Sequence, residues 1–164
     1  MDFLACTLVI GAGATAMTDF WTFTRKRLLD IPVPDYGLVG RWVGHMAHGC
    51  FRHDRIAASP AIHGERLVGW TTHYVVGIGF AALLLGICGL AWVRHPTIGP
   101  ALLVGICTVA APFFIMQPGM GAGIAASRTP RPNAARIQSL ITHAVFGVGL
   151  YTAGEVAGFL GLAQ

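Results

Sequence analysis

Four long apolar runs, separated by shorter stretches that hold nearly all of the charge, set the pattern of this chain. They cover residues 3–24, 67–93, 98–126 and 137–162. Each is long enough to cross a hydrocarbon core of about 30 Å as a helix, which takes roughly 20 residues. A backbone in lipid must satisfy its own hydrogen bonds, so the pattern predicts four helices. Between the first two runs, "YGLVGRWVGHMAHGCF" changes character. Leu38, Val39, Trp42, Val43, Met46 and Cys50 fall on one helical stripe, with Arg41, His45, His48 and Arg52 opposite. This predicts an amphipathic helix over residues 36–52, lying on the inner membrane surface with its cations toward lipid phosphates. Pro32 and Pro34 separate it from the first crossing, and Pro112 and Pro118 are expected to kink the third. The expected fold is all-α, an integral membrane four-helix bundle in one domain of 164 residues, with a cytoplasmic interfacial helix.

Composition agrees with the pattern. Hydrophobic residues make up 54% of the chain against 11% charged, with a mean hydropathy of +0.64, far from a soluble domain. The 22 glycines would weaken soluble helices, yet in a bilayer small residues let helices approach closely. Gly119/Gly123 and Gly154/Gly158 carry the GxxxG spacing for such contacts. Met1 to Ala16 has no Lys or Arg ahead of its apolar run, which favours a retained helix over a cleaved leader. The four cysteines show no CxxC spacing and read as buried or incidental thiols.

Charge then fixes an expected orientation. Of the 11 Lys and Arg, seven lie between runs one and two and three between runs three and four, leaving Arg94 alone on the other side. That asymmetry places both basic segments in the cytoplasm and both termini outside, with Trp70 and Trp92 at the two interfaces of the second helix. The net charge of +4 therefore reads as topology, and nucleic acid is not an expected partner. The lipid bilayer and anionic headgroups are, and a homodimer is compatible.

One phrase is written twice. "THYVVGIG" (Thr72 to Gly79) and "THAVFGVG" (Thr142 to Gly149) align at an offset of 70, which also sets Arg66 on Arg136. A looser match sets "TDFWTFTRK" after Met17 against "GAGIAASRT" after Met120. The reading is an internal repeat of two helical hairpins related by a pseudo-two-fold axis along the membrane normal.

The stretches "GRWVGH", "FRHDRI", "GERLVGW" with "THY", and "APFFIMQPGMGAGIAASRTPRP" resemble a family of small bacterial inner-membrane proteins known as domain of unknown function 2938. The resemblance covers nearly the whole length and implies a multi-pass protein of the bacterial inner membrane. It implies no activity and no functional residue, so the chemistry has to come from the residues themselves.

His73 and His143 lie seven residues, about 10 Å of helical rise, inside the arginines at the inner interface. An ionisable side chain at that depth should face the bundle and have a partner. Gly77 and Gly147, one turn on, leave a notch beside each ring. Paired histidines of this kind could hold haem between them or bind a transition metal or small ligand. The alternative is that the glycines are packing notches and each imidazole hydrogen-bonds across a helix interface. Asp19, six residues before Arg25, is a third candidate as a ligand or proton-coupling group, and Glu155 near the outer end of run four is a weaker one. His45 and His48, at i,i+3, form a second metal candidate against the reading of a basic solvated face. Arg128, Arg131 and Arg136 surround the start of run four, where Asn133 is placed to cap the helix; they could hold a lipid headgroup or another phosphate.

No nucleophile elbow, phosphate loop, HExxH or redox CxxC occurs, so no known enzyme class finds support. Three functional expectations remain. The first is a membrane protein binding a metal, haem or small ligand through paired histidines. The second is a small proton-coupled transporter acting as a dimer, and the third is an assembly or interaction partner.

Overall fold

The computed structural model describes residues 2–162 and contains helices and no strands among them. The principal elements are α1 (Phe3–Leu29), α2 (Tyr36–Met46), α3 (Glu65–Cys88), α4 (Ala91–Arg94), α5 (Ile98–Cys107), α6 (Gln117–Gly119) and α7 (Pro132–Phe159). Four stretches are long and apolar enough to cross a membrane: Phe3–Leu29, Glu65–Cys88, Ile98–Gly119 and Pro132–Phe159. All four expected spans are therefore present, with shifted ends.

The chain divides into two compact units. The first gathers residues 2–33, 74–108 and 140–162. Its core joins Cys6, Ile10 and Ala14 of α1 to Ala81, Leu84 and Leu85 of α3, and Leu150, Ala153 and Ala157 of α7. Glycines bring these helices to backbone distance, as small residues do in membranes. Gly11 lies against the backbone of Ile78, Gly149 against Ala14, and Gly105 against Gly147.

Helix α1 opens on Asp2, whose carboxylate accepts from the Leu4 N–H at 3.0 Å. It continues past the expected end through Arg25, Lys26 and Arg27, cations that suit the negative end of a helix dipole. Threonines line the helix and bond backward along it. Thr7, Thr15, Thr18 and Thr24 donate to the carbonyls of Phe3, Gly11, Ala14 and Phe20 at 2.7, 2.7, 2.9 and 2.8 Å. Helix α3 stops at Cys88, five residues before the expected end, because Gly89 turns into left-handed backbone at φ 73°.

The second unit holds residues Pro34–His73 and Val109–Ser139. Helix α2 starts on Asp35, which caps the Gly37 N–H at 2.9 Å. It ends at Met46 rather than 52, since Gly49 takes φ 80° and closes a Schellman turn. Cys50 N–H reaches the His45 carbonyl at 3.0 Å and Gly49 N–H reaches that of Met46 at 2.9 Å. Gly40 of α2 packs against the backbone of Glu65 and Gly69 of α3, and Gly69 against the Tyr36 carbonyl.

The third span departs furthest from expectation. Instead of one kinked helix to residue 126, α-geometry is interrupted and Pro112–Met116 form a π-helical turn. Pro112 has no N–H for the Thr108 carbonyl four residues back, and the Gln117 N–H bonds to the Pro112 carbonyl, five back. After α6 the backbone folds through positive φ at Gly121, Gly123, Ala125 and Ala126. Helix α7 then begins at Pro132, whose missing N–H costs nothing in a first turn.

Candidate functional site

The two copies of the repeated phrase place their histidines in different company. His73 belongs to the second unit, where its Nε2 lies 3.1 Å from the Tyr36 hydroxyl and its ring 4.3 Å from the Tyr36 ring. Trp70 closes this cluster, 4.5 Å from Tyr36 and edge-on to His73 at 5.8 Å. His143 belongs to the first unit, where its Nδ1 lies 3.0 Å from Thr108 Oγ1 and 3.2 Å from the Gly105 carbonyl. The second copy reads Thr-His-Ala, so it has no equivalent of Tyr74.

The notches expected beside the rings are filled. Thr15 Oγ1 occupies the space at Gly77, and the backbone of Ala101 and Leu102 occupies that at Gly147. Neither glycine leaves a slot for the edge of a flat cofactor. Both serve helix packing.

Asp19 is half-buried on α1 and its Oδ2 accepts a hydrogen bond from the Tyr74 hydroxyl at 3.0 Å. Tyr74 directly follows His73, so one turn of α3 supplies a phenol to a carboxylate and an imidazole to a second phenol. Glu155 is exposed near the end of α7.

His45 and His48 do not converge. His45 Nδ1 instead meets His53 Nε2 at 2.8 Å, and its Nε2 lies 3.1 Å from the Pro60 carbonyl. Cys50 Sγ lies 3.5 Å from the same His53 nitrogen. His48 is exposed, its Nδ1 3.0 Å from the Gly44 carbonyl. Among the described residues, no group of three or more His, Cys, Asp or Glu is arranged to hold a metal ion.

The arginines around α7 also separate. Arg128 and Arg131 are exposed, whereas Arg136 donates from Nε to the Ala125 carbonyl at 2.8 Å and from Nη1 to Asn133 Oδ1 at 3.1 Å. Asn133 therefore lies inside the first turn and serves Arg136, not the cap. Its position was misread because the helix begins at Pro132, five residues earlier than the apolar run.

Sequence reasoning missed the ion pair of Arg41. Expected to face lipid phosphate, Arg41 forms a bidentate pair with Glu65, both contacts at 2.9 Å, and its Nη1 reaches the Ser59 carbonyl at 3.0 Å. The hydrogen bond to Glu65 pushes the guanidinium pKa further above its already high value. Arg41 thus stays charged at any working pH and ties α2 to the start of α3. The 24-residue separation left no local signal for it. Trp42 was expected on the lipid-facing stripe but is buried, its indole N–H donating to the Phe51 carbonyl at 3.0 Å and its ring lying over Gly119.

Each unit thus holds its own hydrogen-bonded polar groups: Asp19 with Tyr74, and His143 with Thr108, in the first, and His73 with Tyr36 in the second. A family model described as a protein of unknown function, DUF2938, matches residues 8–157. No match was found among curated proteins or among solved structures.

Proposed function

We propose, for a chain that belongs to the DUF2938 family of proteins of unknown function, that it is a small proton-coupled transporter with Asp19 as its coupling group. In this reading it resides in the bacterial inner membrane, and the ten-to-one distribution of Lys and Arg favours cytoplasmic basic segments with both termini outside.

The observation that carries this reading is the break in the third apolar span at Pro112–Met116. A local π adjustment re-satisfies the backbone groups that a proline frees within a span, and such turns inside helices are frequent at functional sites. A transporter whose moving part is this glycine- and proline-rich span would bend at that turn. Asp19 supports the same reading, because an intramembrane carboxylate is costly to hold and Tyr74 donates a hydrogen bond to it.

The test uses purified protein in liposomes loaded with a pH-sensitive dye, with a potassium potential clamped by an ionophore. A panel of small inorganic and organic solutes is added outside, and proton entry is followed for wild type and Asp19→Asn. Asparagine keeps an oxygen for Tyr74 but cannot titrate. At least one solute should drive proton movement that Asp19→Asn loses; no response to any solute, or an equal response in the variant, refutes the proposal.

A further inference from the structure

We infer that His143 is a second proton-accepting site, held in a single neutral tautomer with Nε2 as the atom that takes a proton or a solute's hydrogen-bond donor. The assignment follows from which partners can donate. Thr108 Oγ1 lies 2.6 Å from the Gly105 carbonyl, which only accepts, so the hydroxyl proton is directed there. Both neighbours of His143 Nδ1, the Thr108 oxygen at 3.0 Å and the Gly105 carbonyl at 3.2 Å, are then acceptors. Nδ1 must carry the hydrogen. In the neutral ring the lone pair consequently sits on Nε2.

Nε2 makes no hydrogen bond among the described residues, and the ring is half-buried. An imidazole oriented through Nδ1–H onto a backbone carbonyl is the arrangement that holds a histidine ready to bind through its other nitrogen. With no third ligand grouped around it, the ring suits a proton or a donor-bearing solute better than a chelated metal. Helix α5, which supplies both acceptors through Gly105 and its C-cap Thr108, has Cys107 as its one ionisable side chain. Helices α1 and α3 bring Asp19 and Tyr74, which are bonded to each other.

Location gives the site its role. Thr108 lies four residues before Pro112, at the position whose carbonyl the proline leaves without its helical donor. A proton taken up at Nε2 makes the ring an imidazolium, and its Nδ1–H bonds become charge-assisted, roughly twice as strong as neutral ones. Protonation therefore tightens the hold of α7 on the helix end that precedes the break, and deprotonation loosens it. This role rests on the transport reading; the tautomer and the unbonded Nε2 do not.

The experiment is two-bond proton–nitrogen correlation spectroscopy of the full chain, labelled with nitrogen-15 histidine, in detergent micelles at mildly alkaline pH. The His143 ring is assigned by its absence in His143→Gln and, should that variant not fold, by its displacement in Thr108→Val. The expected pattern has Nδ1 protonated and Nε2 bare, with Nε2 gaining the proton as the pH falls. A neutral ring protonated at Nε2 overturns the inference. The flux assay then separates the two claims: with the tautomer found as expected, His143→Gln should lose the solute-driven proton entry, and retention of wild-type entry overturns the coupling role while leaving that of Asp19 intact.

Discussion

Replacing Gly40 with alanine tests the close crossing of α2 and α3. A Cβ at this position would lie 2.6 Å from the Gly69 nitrogen and 2.8 Å from the Glu65 carbonyl carbon, and closer still to the Glu65 oxygen. These are backbone atoms and cannot swing aside as a flexible side chain would, so the helices must part by roughly 1 Å, enough to forfeit a quarter to a half of each close dispersion contact. Overpacking of this kind costs about 1–3 kcal/mol. Gly79→Ala is the matched control, since a Cβ there meets nothing within 4 Å. It should gain about 0.5–1 kcal/mol from helix propensity. The same gain is contained in Gly40→Ala, so the difference between the variants isolates the contact. At about 2–4 °C per kcal/mol for a chain of this size, Gly40→Ala should melt about 2–12 °C below Gly79→Ala. Thermal unfolding in detergent, followed by tryptophan fluorescence, reads this directly. Equal melting temperatures would refute the backbone-to-backbone crossing.

Gly49→Ala places a side chain at φ 80° and should weaken the end of α2 by about 1 kcal/mol, seen as faster hydrogen exchange at the Cys50 amide. Trp42→Phe removes the bond to the Phe51 carbonyl while keeping most of the ring, and should cost about 1 kcal/mol in the same melting assay; no loss would mean that the bond adds nothing. Cys50 is exposed and lies in the larger basic segment, so a membrane-impermeant maleimide should label it in inverted vesicles and not in intact spheroplasts. Labelling from the outside would reverse the proposed orientation.

The spans were legible because hydropathy over some 20 residues is a property of the chain alone. Their ends were not, since each depends on one local event: the αL turn at Gly89, the π-turn at Pro112, or the proline start at 132. A proline signals a bend, but whether the ladder bends or slips by one residue depends on what it packs against. Asp19, His73 and His143 could be picked out as costly residues at depth, whereas their partners could not. Tyr74 lies 55 residues from Asp19, Tyr36 lies 37 from His73, and Thr108 lies 35 from His143, and no periodicity links positions on different helices. The repeated phrase predicted matched roles for two histidines, but a copied stretch fixes only its own helix face. Tyr36 approaches one copy, and Thr108 with the Gly105 carbonyl the other.

The threonines of α1 bear on how the protein is made. Four of their hydroxyls are occupied by carbonyls one turn back in the same helix, so they ask nothing of a neighbour. A helix that satisfies these hydroxyls internally can settle in lipid before α3 and α7 pack against it, with Asp19 left to meet Tyr74. What the later helices add to α1 is close packing and the Tyr74 bond to Asp19, while its threonines ask for nothing more.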